Sequence, residues 1–147
     1  MNIMFVCTGY TCRSPMAEGF MKHILKLNNN NHCNVISRGI YVGINSKTSS
    51  YSIKALSEYD INISSHIPMQ ISLSDIENSD IIITMTQSHK DALNMAYSGY
   101  EDKIMSISEF TDNDIKDPYG CDYEVYKICA KDIFNACNLI YDSIFGN

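Results

Sequence analysis

The sequence predicts an α/β fold of three layers, in which a four-stranded parallel sheet lies between helices. Strand-sized apolar segments alternate with segments of helical periodicity, and this alternation is typical of parallel sheets with crossover helices on both faces. Residues 79–85 (SDIIITM) form a nearly continuous aliphatic run, as expected for a strand buried on both faces. The length of 147 residues and the hydrophobic content of 45% suit one domain, residues 1–147, with a substantial core.

Four segments have the length and composition of strands, and polar or glycine-containing segments bound them. They are residues 2–6 (NIMFV), 33–37, 79–85 and 103–107. In such sheets, ligands bind beyond the carboxyl ends of the strands. The segment that follows the first strand is therefore a candidate site.

Four segments are predicted to be helices: residues 14–27, 51–59, 87–97 and 123–144. For the first of them, Ser14 is the predicted N-cap and Pro15 suits the first helical position. The last is predicted to bury an apolar stripe made of Val125, Ile128, Ile133, Cys137, Ile140 and Ile144.

Composition excludes several classes of protein. The net charge of −6 argues against nucleic-acid binding, which normally requires a basic face. The sequence has neither a signal-peptide pattern nor an apolar run long enough to span a membrane, which predicts a cytoplasmic protein.

The six cysteines are expected to be reduced thiols. No metal or other cofactor is expected, because the four histidines do not have ligand spacing: His23, His32, His66 and His89.

The segment CTGYTCR, from Cys7 to Arg13, connects the first strand to the first helix. Backbone amides of such a loop can form an anion nest, and the helix N-terminus adds partial positive charge. Arg13 could bind two oxygens of a phosphoryl group, and the same field would favour the thiolate of Cys7 as a nucleophile. The alternative is a buried structural cysteine and a solvated arginine. The Gly-x4-Gly-Lys-[Ser/Thr] motif of P-loop nucleoside triphosphatases is absent.

Phosphoryl transfer to a thiol also requires a general acid. Asp117 begins the segment DPYG, in which Pro118 would stiffen the loop. Such a segment is also a common turn, so its composition alone leaves both interpretations open.

The segment VCTGYTCRSPMAE (6–18), followed far downstream by DPYG (117–120), resembles the low-molecular-weight protein tyrosine phosphatase family. The resemblance covers essentially the whole chain, and MTQSHK (85–90) and ISEF (107–110) are similar to bacterial members. It implies a flavodoxin-like sheet and a cytoplasmic, monomeric enzyme that acts on phosphorylated protein substrates without a metal.

The resemblance also implies the roles of individual residues. Cys7 would attack phosphorus, Arg13 would bind the phosphoryl oxygens and Asp117 would act as the acid and then as the base. The phosphate-binding residues would be Thr8, Gly9, Tyr10, Thr11, Cys12, Arg13 and Ser14. Ser14 would also hydrogen-bond the Cys7 sulfur.

The resemblance implies that Thr11 sets substrate preference, because tyrosine phosphatases of the family usually carry an aliphatic residue there and the arginine phosphatase branch carries threonine. A hydroxyl there suits a guanidinium, whereas isoleucine would favour an aromatic ring. Gly120 stands where tyrosine-specific members often carry a second aromatic residue, and Tyr119 could form one wall of the pocket. Phosphoarginine is therefore favoured over phosphotyrosine, although Thr11 could simply cap a loop amide.

Tyr10 departs from the family, which normally has asparagine at this position in a network that would here include Ser14, Ser37 and His66. Tyr10 could reduce the rigidity of the loop or add an aromatic wall. Arg38 is also unusual, because a small residue is common there. The resemblance also implies that Cys12 can form a reversible disulfide with Cys7, as the second loop cysteine can in the family; alternatively, Cys12 only packs the loop.

Two other functions remain possible from the sequence. One is an arsenate reductase, which would need further cysteines in the middle of the chain, where residues 34–120 contain none. The other is a phosphate-binding module that Tyr10 has made catalytically inactive.

Overall fold

A computed structural model of the chain describes residues 1–9 and 12–146. Its sheet has four strands in the order β2-β1-β3-β4, and each pair of neighbours is parallel. The strands are β1 (Asn2–Cys7), β2 (Asn34–Gly39), β3 (Ile81–Thr84) and β4 (Ile104–Ser106). The predicted α/β class and the four predicted strands are confirmed. β1 is an inner strand, and its last residue, Cys7, pairs with Gly39 at the end of β2.

The described residues contain six α-helices and one 3₁₀ helix. They are α1 (Arg13–Leu27), α2 (Ser50–Ser57), α3 (Leu73–Asn78), α4 (Gln87–Ala96), α5 (Ser108–Thr111), α6 (Tyr123–Phe145) and the 3₁₀ helix Glu101–Lys103. The four predicted helices are confirmed. Sequence periodicity missed the three short ones, although the capping box of Ser72 and Asp75 marks the start of α3. No described helix is long and apolar enough to cross a bilayer.

Alternate residues of β1 enter two cores, which confirms the three layers. Ile3, Phe5 and Cys7 pack with residues of α1 and α6. Met4 and Val6 pack on the other face, with Leu93 of α4 among their neighbours. Cys7 therefore lies on the α1 side of the sheet, where the first turn of α1 can reach it.

Two details predicted from the sequence are wrong. The N-cap of α1 is Cys12, which makes no side-chain capping bond, so Ser14 and Pro15 are the second and third residues of the helix and Pro15 is not at its first position. On α6, Val125 and Ile128 are 40% and 62% exposed. The rest of the predicted stripe is confirmed, because Ile133, Cys137 and Ile140 are buried and Ile144 packs partly buried against the core. Near the start of the helix, Tyr126, Cys129 and Ala130 are buried instead of Val125 and Ile128.

Candidate active site

Cys7 ends β1 with its side chain buried and its Sγ atom 2.9 Å from Oγ of Ser14. Ser14 reaches this position because α1 starts at Arg13, immediately after the loop. A serine hydroxyl so placed can donate a hydrogen bond to a thiolate and stabilise its charge. The contact predicted between Ser14 and the Cys7 sulfur is present.

The start of the loop is held by the segment that follows β2. The carbonyls of Cys7 and Thr8 accept hydrogen bonds from the amides of Ile40 and Tyr41, at 3.0 and 2.7 Å. In a trans peptide the carbonyl and the next N–H point in opposite directions. The amides of Thr8 and Gly9 therefore point away from this segment and can donate to a bound anion.

Gly9 has a φ of +132°, and a Cβ built on it would lie 2.1 Å from the carbonyl oxygen of Tyr41. We therefore expect Gly9→Ala to distort the loop, because backbone strain of this kind alone costs about 1–3 kcal/mol and the steric clash adds to it. The melting temperature and the affinity for inorganic phosphate should both fall. Gly99→Ala is the matched control, since Gly99 also has positive φ but open space around it. Phosphate binding equally unaffected by both substitutions would contradict this.

Arg13 links the loop to the segment before Asp117. Its guanidinium is buried, and Nη1 donates to the carbonyl of Ile115 at 2.9 Å. Nη2 lies 3.4 Å from Oγ1 of Thr8 and 3.8 Å from Oδ2 of Asp117. Ile115 is in turn fixed by its amide, which donates to the carbonyl of Met85 just after β3. The structure thus brings together residues separated by about a hundred positions.

The Asp117 carboxylate is held by a hydrogen bond to one of its oxygens, and its side chain is partly exposed to solvent. Oδ1 accepts a hydrogen bond from the amide of Tyr119 at 3.0 Å, while the side chain remains 41% exposed. Cys121 closes the turn by donating its amide to the carbonyl of Pro118. DPYG is therefore a turn that also places a carboxylate beside Arg13. Tyr119 is exposed next to it.

Cys12 is buried where the loop meets α6. Its Sγ is 3.4 Å from the hydroxyl of Tyr126, and its carbonyl accepts a hydrogen bond from Ser52. Burial raises the pKa of Cys12. Burial, together with this contact, raises the pKa of Tyr126 to about 12. Both groups are therefore protonated at neutral pH, and no disulfide joins any of the six cysteines.

The sequence patterns did not single out His89, because the four histidines are scattered along the chain. His89 lies in the first turn of α4, and its Nε2 is 2.7 Å from Oγ1 of Thr8. Burial, with the nearby Arg13 charge, lowers the pKa of His89 to about 4. The signal in the sequence is its place: α4 begins just beyond the carboxyl end of β3, at the edge where ligands bind.

A second polar network lies behind the loop. Ser37 Oγ donates to Oε1 of Glu18 at 2.9 Å and lies 3.4 Å from Nε2 of His66. The predicted proximity of Ser37 and His66 is confirmed, but Glu18 was not anticipated. Arg38 is directed elsewhere, because it donates to Oδ2 of Asp75 at 3.0 Å. Tyr10 and Thr11, predicted to bind phosphate and to set specificity, lie outside the described residues.

Within residues 1–9 and 12–146, no cluster of three or more His, Cys, Asp or Glu side chains has an arrangement that could hold a metal ion. The chemical groups that are brought together are a thiol with a hydroxyl donor, a buried guanidinium and a carboxylate. These suit phosphoryl transfer to sulfur with acid–base assistance.

Comparison with known proteins identifies the family. Residues 2–145 match the family described as low molecular weight phosphotyrosine protein phosphatase. The chain belongs to this family. Its predicted assignment as a protein phosphatase is thereby confirmed.

Relatives of both specificities are similar to this phosphatase. The protein-arginine-phosphatase of Bacillus subtilis is 35% identical over 130 residues, which cover 86% of this chain and 85% of the relative. The low molecular weight protein-tyrosine-phosphatase PtpB of Staphylococcus epidermidis is 32% identical over 142 residues, covering 95% of this chain and 96% of the relative.

Solved structures of both kinds of phosphatase are also similar to this chain. The arginine phosphatase YwlE, in a mutant with a phosphorylated active-site serine, superposes with a TM-score of 0.92 at 31% identity, covering 98% of this chain and 95% of the other. A low molecular weight protein tyrosine phosphatase from T. tengcongensis has a TM-score of 0.92 at 35% identity, covering 98% and 99%. The predicted family fold is confirmed.

Proposed function

We propose that this phosphatase removes phosphate from proteins through a phosphocysteine on Cys7, and that phosphoarginine is its preferred substrate. The observation that carries the first part is the grouping of Cys7 with Ser14, and of Arg13 with both Thr8 and Asp117. The phosphate-binding residues are Thr8, Gly9, Tyr10, Thr11, Cys12, Arg13 and Ser14. No cofactor takes part in this mechanism.

In the first step the Cys7 thiolate attacks phosphorus. A P–S bond forms, the bond from phosphorus to the leaving nitrogen or oxygen breaks, and the electron pair goes to the leaving atom, which takes a proton from Asp117. Arg13 supports this step because its fork can bind two equatorial oxygens of the phosphoryl group. The loop amides donate to the same negative charge.

In the second step a water molecule attacks phosphorus. Asp117, now a carboxylate, accepts the proton of the water, the P–S bond breaks and its electron pair returns to Cys7. The Ser14 hydroxyl, 2.9 Å from Sγ, stabilises the departing thiolate by donating a hydrogen bond. Inorganic phosphate then leaves, and Asp117 carries the proton needed for the next cycle.

Phosphoarginine is favoured by Thr11 and by the carboxyl group of Asp117. This group is 41% exposed beside the phosphate site; in its protonated form its carbonyl oxygen can accept a hydrogen bond from the guanidinium of the substrate, while its O–H gives the proton to the departing nitrogen. The relative named protein-arginine-phosphatase supports this assignment. Phosphotyrosine is the second candidate, because the exposed ring of Tyr119 could pack on a phenyl ring and relatives named as tyrosine phosphatases are comparably similar.

The test is kcat/KM on two peptides that differ only in phosphoarginine or phosphotyrosine. Wild type should prefer phosphoarginine. Thr11→Ile should reduce that preference about tenfold or more, a typical range for one altered apolar contact in a pocket. Thr11→Ser keeps the hydroxyl and is the matched control, so its preference should stay close to wild type. A wild-type preference for phosphotyrosine would refute the phosphoarginine assignment.

Cys12 is proposed to protect Cys7 from irreversible oxidation. Peroxide converts a thiolate to a sulfenic acid, and a neighbouring thiol can condense with it to form a disulfide, releasing water. We expect Cys12→Ser to retain turnover but to lose recovery by dithiothreitol after peroxide treatment. Cys129→Ser, which alters another buried thiol, should recover as wild type does. Equal recovery of the Cys12→Ser protein would leave Cys12 with a packing role only.

Residues 1–147 are proposed to form one phosphatase domain that acts as a cytoplasmic monomer. The two remaining functions predict different behaviour. An arsenate reductase would consume arsenate in a thiol-coupled assay, and an inactive module would bind phosphate without turning over either peptide. If no peptide is turned over, activity restored by Tyr10→Asn would identify Tyr10 as the cause.

A further inference from the structure

The hydroxyl of Thr8 lies between a histidine and the catalytic arginine. Oγ1 is 2.7 Å from Nε2 of His89 and 3.4 Å from Nη2 of Arg13. Thr8 directly follows the nucleophile, and His89 is 81 positions away in sequence. The three side chains therefore connect the first residue of the phosphate loop, the N-terminus of α1 and the N-terminus of α4.

Hydrogen-bond accounting assigns the donors in this group. A guanidinium can only donate, so Arg13 donates to Thr8. Nδ1 of His89 is buried and has no hydrogen-bond partner among the described residues. At this position a buried N–H without an acceptor would cost more free energy than a buried unprotonated ring nitrogen without a donor. This difference favours the tautomer that is protonated at Nε2. His89 then also donates to Oγ1, and the Thr8 oxygen is fixed by two donors.

The turn that carries His89 is itself fixed. Its amide donates to the side chain of Thr86, the N-cap of α4, at 3.2 Å. The neighbouring amide of Gln87 donates to Oδ1 of Asp114 at 2.9 Å. Asp114 immediately precedes Ile115, whose carbonyl holds Arg13. The first turn of α4 thus contacts both segments that position the guanidinium.

We propose that His89 is a positioning residue, which acts through the Thr8 hydroxyl to hold the start of the phosphate loop and the Arg13 guanidinium in the geometry that binds the phosphoryl group. This inference rests on the proposed function, since it assigns a role in the same site. His89 does not reach the nucleophile in this scheme. Its loss should therefore weaken binding of the phosphoryl group and leave Cys7 able to react.

The experiment compares His89→Ala, His89→Gln and His89→Asn, using inorganic phosphate as a competitive inhibitor and as a ligand in calorimetry. A glutamine amide can approach the position of Nε2, whereas an asparagine amide corresponds to Nδ1. We expect the alanine and asparagine variants to bind phosphate about tenfold more weakly, as the loss of one well-placed hydrogen bond predicts. Glutamine should restore most of the affinity.

Two controls separate positioning from folding. Leu93→Ala removes a buried side chain from the same helix and should lower the melting temperature without weakening phosphate binding. Thr8→Val combined with His89→Ala should bind phosphate no more weakly than the poorer single variant, because both act through one hydroxyl. Additive losses, unchanged binding in the alanine variant, or equal weakening in Leu93→Ala would overturn the proposal. Absence of wild-type turnover would instead refute the proposed function, whatever phosphate binding shows.

Discussion

Cys7→Ser is expected to abolish multiple turnover, with kcat reduced roughly 10⁴-fold or more, as for other lost nucleophiles. A serine hydroxyl is far less acidic than a thiol, so it is rarely the anion that attacks phosphorus. A phosphoserine, if it formed, would persist because the alkoxide is a much poorer leaving group than a thiolate. Steady-state phosphate release from a phosphoarginine peptide measures the effect.

The matched control for this variant is Cys121→Ser, which makes the same change at an exposed thiol just after the DPYG turn that carries Asp117. It should retain wild-type kcat. The Cys7→Ser protein should also melt close to wild type, because the change is small in volume and Ser14 can still hydrogen-bond the new hydroxyl. A folded Cys7→Ser protein with substantial turnover would exclude Cys7 as the nucleophile.

Asp117→Asn is expected to lower kcat by about 10²–10⁴-fold, the usual contribution of a general acid or base. Asparagine keeps the size of the side chain and can still accept the Tyr119 amide hydrogen bond, now seen at 3.0 Å. It can neither donate the proton to the leaving group nor accept one from water. The loss should be smallest for substrates whose leaving group needs no proton, such as a nitrophenyl phosphate in the first step.

Asp122→Asn controls for the loss of a carboxylate in the same region, because asparagine can replace aspartate as the N-cap of α6. Its kinetics should match wild type. The comparison requires burst kinetics, which separate formation of the intermediate from its hydrolysis. If Asp117→Asn lowered kcat equally for good and poor leaving groups in the first step, Asp117 would not be the acid.

The loop, the strand before it and the helix after it could be predicted because they depend on neighbouring residues. A buried strand, a glycine and a helix start follow each other within 2–27, and local preferences place Cys7 and Arg13 at one site. The same reasoning failed for Ser14. Local propensity made it an N-cap, but its hydroxyl instead contacts the Cys7 sulfur, because the N-cap is Cys12, two residues earlier.

Residues that act across the fold could not be found from sequence patterns. His89 meets Thr8 across 81 positions and Arg13 meets Ile115 across 102. These contacts depend on the strand order, which places β3 beside β1 and so brings the start of α4 to the phosphate loop. Likewise, the buried face of α6 is decided by its packing on α1 and α2, which its apolar residues alone did not define.

The most direct test of the central claim is to identify the atom that carries phosphate during turnover. Wild-type enzyme should be mixed with a phosphoarginine peptide, quenched within milliseconds and analysed by mass spectrometry under conditions that preserve phosphorus–sulfur bonds. We predict one phosphoryl group on the peptide that contains Cys7, formed in a burst before phosphate release. Turnover with phosphate on another residue, or with no phosphoenzyme at all despite a burst of dephosphorylated peptide, would contradict the phosphocysteine mechanism.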